Sequence, residues 1–116
     1  MQALKKSTYL AGLAVSKTPH ASLMALYNRT LKVLQTMPTD YAYRKATEDL
    51  VKTRLNLVKQ HQNVEELEHQ INAGQIEEVI VQAQREYDLC RDLLKWQPWQ
   101  PLIEDAPTNQ WKWPPI

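Results

Sequence analysis

Residues 74–95 read GQIEEVIVQAQREYDLCRDLLK, and their periodicity decides the fold. Ile76, Ile80, Ala83, Tyr87, Cys90 and Leu94 follow one another at separations of 4, 3, 4, 3 and 4, which sets all six on one side of an α-helix. Val79 and Leu93 widen the stripe. The opposite side carries Glu77, Glu78, Gln82, Gln84, Arg85, Asp88 and Asp92. Such a helix has one seam to bury and one face for water. A lone helix of this length is marginal in water, so apolar partners must come from elsewhere in the chain.

Working back towards the start, the partners are legible. Thr18-Pro19 opens a helix, with Thr18 as N-cap and Pro19 at the first position, where a missing N–H costs nothing. Met24, Tyr27, Leu31 and Leu34 give its stripe, with Leu23 and Leu26 beside them. Met37-Pro38 ends it, because the residue before proline is pushed out of the helical region. Thr39-Asp40 leads into a second helix over residues 41–60. Its expected stripe is Tyr43, Ala46, Leu50, Leu57 and Val58, extended by Val51 and Leu55, with Thr47 and Arg54 as interruptions. Asn63 then caps a short helix burying Val64, Leu67 and Ile71, with Glu66 reaching back to complete a capping box. Asn72-Ala73-Gly74 stops it at a left-handed end.

Beyond residue 95 the character changes. All four Trp residues and five of the seven prolines lie there. Proline excludes helix and favours extended geometry, while each Trp offers roughly 150–250 Å² to bury. Such a tail is expected to lie along a surface, its own or a partner's. Trp96, Trp99, Trp111 and Trp113 are therefore interface candidates. The expectation is an all-α fold in three parts. Residues 1–17 form an extended N-terminal docking or import segment. Residues 18–95 form a three-helix bundle with an extra short helix, and residues 96–116 an extended Pro- and Trp-rich tail.

Composition narrows the function. A chain of 116 residues is one domain with a tail, and no Phe with only two Gly argues against an all-β fold. One Cys excludes an internal disulfide framework. No apolar run reaches the roughly 18 residues that a spanning helix needs. The first 39 residues contain Lys5, Lys6, Lys17, Arg29 and Lys32 and no acid, whereas residues 65–92 contain eight acids against two Arg. The acid-free start is compatible with mitochondrial import, and residues 10–15 read as an apolar segment that docks on a protein surface. Glu77 and Glu78, on the acidic face, are candidates for a salt-sensitive contact with a basic partner.

No catalytic, cofactor-binding or metal-binding residues are expected. The chain has no HExxH, CxxC or glycine-rich phosphate loop. Glu66-x-x-His69 has the spacing used in carboxylate di-iron bundles, but those need a second copy and two further Glu. Cys90 sits on the buried seam beside Asp88 and Asp92, an unsuitable setting for a nucleophile. Basic residues are too scattered for a nucleic-acid stripe.

Four stretches together resemble one family. They are Gly12-Leu13-Ala14-Val15 running to Thr18-Pro19-His20, then Ala42-Tyr43-Arg44-Lys45, then Gly74-Gln75-Ile76-Glu77-Glu78-Val79-Ile80, and the ending Gln110-Trp111-Lys112-Trp113-Pro114. The family is the alpha-subcomplex subunit 5 of mitochondrial NADH:ubiquinone oxidoreductase, respiratory complex I. Pro115 before the final Ile departs from its pattern. The resemblance implies a non-catalytic accessory subunit without cofactor, peripheral to the inner membrane on its matrix side. It implies partners among the complex I subunits: the cluster-free core subunit of the hydrophilic arm and, in animals, a nucleoside-kinase-like accessory subunit. It also implies an import signal that is kept. An alternative rests on Leu26-Tyr27-Asn28-Arg29, which resembles the Leu-Tyr-Arg motif of three-helix acyl-carrier-binding adaptors of the mitochondrial matrix. An Asn is inserted there, and the motif's downstream Phe has no counterpart.

Overall fold

A computed structural model describes residues 7–9, 12–101, 103–106 and 108. Helix α1 spans Pro19–Gln35, α2 Ala42–Gln60, α3 Val64–Ile71 and α4 Ile76–Trp96. The described residues contain no strand. The fold is all-α, as periodicity requires.

α1 is the central element. It packs against both α2 and α4, while α3 bridges the far end of α2 to the start of α4. α2 and α4 have little backbone contact with each other, and Tyr43 of α2 reaches α4 through its side chain. The reason lies in α1's sequence, whose Leu23, Leu26, Tyr27, Thr30 and Leu34 are all buried and serve two neighbours at once. Thr30 is the polar member, and its hydroxyl donates to the Leu26 carbonyl at 2.8 Å, so its burial leaves nothing unpaired.

The start of α1 differs from expectation in one detail. Pro19 occupies the first turn, but the Thr18 side chain makes no capping bond, and only its carbonyl takes part, accepting from Ser22 N at 3.0 Å. The other end stops before Pro38 as read. Arg44 Nη1 then donates to the Met37 carbonyl at 2.6 Å and ties the connecting turn to α2.

α2 presents a seam rotated from the expected one. Thr47, Val51, Leu55 and Val58 are buried, whereas Ala46 and Leu50 are exposed and Leu57 is intermediate. The two stripes share Val58, and contact with α1 selects Val51 and Leu55, expected only as extensions, together with Thr47, expected as an interruption.

α3 is capped by Asn63, whose side chain accepts from Glu65 N at 2.9 Å. Glu66 does not complete a box; its carboxylate lies 3.9 Å from His61 Nδ1 instead. The reciprocal carboxylate appears one helix later. Glu78 Oε2 accepts from the Gln75 N–H at 2.8 Å, and Glu68 Oε1 accepts from Ile76 N at 2.8 Å, so two orphan donors at the start of α4 are met. Gly74 makes this possible. Its φ is +93°, and a Cβ there would collide with the Glu78 carboxylate.

Burial divides into two cores. The upper one is mainly aliphatic and gathers Leu23, Leu26, Val51, Val58, Leu67 and Val79 with Tyr27 among others, from all four helices. The lower one is small: Leu34, Met37 and Cys90, fringed by Tyr41, Tyr43, Leu94 and Trp99.

Candidate interaction surface

The tail leaves the bundle in a defined way. Trp96 is the last residue of α4, and Gln97 follows in the left-handed region (φ 52°), which turns the chain out of the helix. The two tryptophans at this corner are treated differently. Trp99 is half-buried, its ring 5.4 Å from that of Tyr41, and Tyr41 in turn lies 5.9 Å from Tyr43. This aromatic row closes the lower core. Trp96 is 67% exposed. Trp111 and Trp113 lie outside the described residues.

The acidic pair is not an open face. Glu77 is only 3% exposed, although periodicity places it opposite the seam. The irregular N-terminal segment covers it: Ser16 N donates to Glu77 Oε1 at 3.3 Å. A second strand of the same fastening runs from Gln75 Nε2 to the Thr8 carbonyl at 2.7 Å, and buried Thr8 donates its hydroxyl to the Leu13 carbonyl at 2.6 Å. Glu78 is committed to the helix start, as above. Both carboxylates thus accept hydrogen bonds inside the chain, Glu77 from a buried position and Glu78 from a half-buried one. Period alone cannot register a cover supplied from 61 residues earlier.

Cys90 was expected on the seam and is fully buried there. Tyr43 approaches it from α2. The phenol donates to Glu86 Oε1 and lies 3.3 Å from Cys90 Sγ. Burial pushes the thiol up, and the nearby Glu86 carboxylate adds to this, outweighing the Tyr43 hydrogen bond. Burial, again first, with the Cys90 and Glu86 contacts, raises the Tyr43 phenol as well. Both groups therefore stay protonated at neutral pH. A protonated, enclosed thiol is a packing element.

Sequence reasoning did not find the groove that follows from the slight contact between α2 and α4. It encloses about 380 Å³. Tyr27 and Thr30 of α1 line it, Leu50 and Arg54 come from α2, and Arg85 and Leu89 from α4. Leu50 is 50% exposed and Leu89 40%. The signal was present in Leu50, an apolar residue off the seam that α1 selects. Only the relation between two helices turns it into a wall.

Among the described residues no group of His, Cys, Asp and Glu is placed to hold a metal ion. No helix there is long and apolar enough to cross a membrane.

Comparison with known proteins gives a consistent picture. A family model described as "ETC complex I subunit conserved region" matches residues 12–78. A Mus musculus protein named NADH dehydrogenase (ubiquinone) 1 alpha subcomplex subunit 5 is 50% identical over 111 residues, covering 96% of both chains. A Caenorhabditis elegans protein, named as a probable subunit of the same kind, is 46% identical over 110 residues, 95% of this chain and 73% of its own. An Arabidopsis thaliana protein is 38% identical over 96 residues, 83% of this chain and 57% of its own; its name is a probable form of the same, with the word mitochondrial added.

Proposed function

We propose a function from one premise: the chain belongs to the family of alpha subcomplex subunit 5 of NADH dehydrogenase (ubiquinone). It is an accessory subunit of respiratory complex I. Electron transfer from NADH to ubiquinone belongs to the complex, and this chain contributes no catalytic group to it. The observation that carries the reading is half identity to the mouse subunit across 96% of both chains. The acyl-carrier adaptor reading is not supported. The relatives are named for complex I, and Tyr27 of the supposed motif is a buried core residue of α1.

The finer reading is that of a brace on the matrix side of the inner membrane, peripheral to it, supporting the hydrophilic arm through the cluster-free core subunit. In animals a nucleoside-kinase-like subunit is its second neighbour. The upper core and its N-terminal fastening supply a self-contained body. The tail supplies the anchors: Trp96 is exposed at its base, and the sequence places Trp111 and Trp113 further along. Truncation after residue 109 is expected to lower incorporation into the complex on native gels of solubilised membranes, with helicity of the chain unchanged. Full incorporation of the truncated chain would remove the tail as anchor.

A further inference from the structure

The groove between α2 and α4 is used by nothing described so far, and three features say what it would accept. The first is shape. Its walls are helices, so no backbone N–H or C=O is free to pair with an extended segment. An occupant must satisfy its own backbone, which a helix does. The volume of about 380 Å³ holds a few side chains and no more. The second is apolar surface: Leu50 on one wall and Leu89 on the other stand about half exposed.

The third is polar and has a sign. Arg54 of α2 and Arg85 of α4 both line the groove, and neither has an ion pair among the described residues. Glu86, the carboxylate on the same wall, accepts from the Tyr43 phenol, and two guanidiniums against this one carboxylate leave the lining positive. At the floor, Tyr27 is 3% exposed, and its hydroxyl has no hydrogen-bond partner among the described residues. Burial raises the pKa of that phenol, and the neighbouring Arg54 guanidinium partly offsets the rise. Two guanidiniums and one unpaired hydroxyl are a donor set waiting for a carboxylate.

We propose that this groove receives an amphipathic helix from another subunit of the complex, one that inserts an Asp or Glu between two apolar side chains. The proposal rests on the accessory-subunit reading above. The apolar pair covers Leu50 and Leu89, and the carboxylate takes hydrogen bonds from Arg54 and Arg85 over the Tyr27 hydroxyl. A second copy of this chain is the wrong occupant, since two-fold pairing would set the same guanidiniums against each other. The chain's own tail carries Glu104 and Asp105, but its described part leads by way of Trp99 to Tyr41, at the other core, instead.

The test uses the assembled complex. A photo-reactive residue replaces Leu89, which is exposed, and the solubilised complex is irradiated on a native gel. The expected product is a crosslink to one other subunit, on a peptide reading apolar–acid–apolar at helical spacing. Arg54→Glu, or Arg85→Glu on the opposite wall should the first fail to fold, is expected to lower the crosslink by about tenfold. Lys52→Glu, two residues away on the outer side of α2, leaves it unchanged. Crosslinks confined to residues 96–116, to a second copy or to no protein overturn the groove proposal while the chain still migrates with the complex. A chain that never migrates with the complex sinks the accessory reading itself.

Discussion

The two cores of this bundle are finished in different ways. The upper core is closed by aliphatic side chains from all four helices, and its one irregular cover, the N-terminal segment, is fastened by hydrogen bonds. The lower core has three buried residues and needs an aromatic row, including Trp99 from beyond the last helix, to keep water out. One end is therefore completed by regular packing and the other by the tail.

The largest effect should come from cutting the upper core. Leu23→Ala removes a fully buried side chain and is expected to cost about 2–5 kcal/mol in urea unfolding of the purified chain. Trp99→Ala, at a half-exposed lid, should cost well under that. Equal losses would break the distinction between the two ends.

Next comes the hinge that lets α4 begin. Gly74→Val forces a β-branched residue to positive φ and drives its Cβ into the Glu78 carboxylate. A loss on the order of 1–3 kcal/mol is expected from thermal melts. Wild-type stability would mean that the Glu78 cap is dispensable.

The lower core should then show itself at alkaline pH. Burial holds the Cys90 thiol above its ordinary value of 9.0, so folding retains a proton that the unfolded chain gives up. Stability from this site is whole below about pH 9 and drains away as pH rises past it towards the folded value. Cys90→Ala should flatten the melting curve over that window. An unchanged slope would assign the alkaline loss to the Tyr27 and Tyr43 phenols, both raised by burial.

The smallest effect is reserved for the surface. Lys52 reaches Glu48 at 3.6 Å from an exposed position, and Lys52→Ala should cost no more than about 0.5 kcal/mol, and less in high salt. A larger loss would show that α2 depends on its outer face more than on its seam.

Much of this was legible in advance. Proline and asparagine boundaries located α1 and α3, and the 4-3-4 spacing located α4, because those signals are local. The seam of α2 was not legible. Leu50 and Val51, and Leu57 and Val58, offer neighbouring apolar positions, and only α1 decides between them. His20 was equally silent. Its Nε2 donates to the His61 carbonyl at 2.7 Å, joining the start of α1 to the end of α2, and no spacing rule announces that. Glu77 misled for the same reason: an acid in a first turn favours the helix dipole whether water or another segment lies over it.

The fastening at Glu77 sets an order of events. Ser16 leaves the ribosome 61 positions ahead of the carboxylate it will hold, and Thr8 leaves 67 ahead of Gln75. The α1–α2 hairpin can form while α4 is still being translated, but its leading residues find no seat until then. A segment made early is thus locked late.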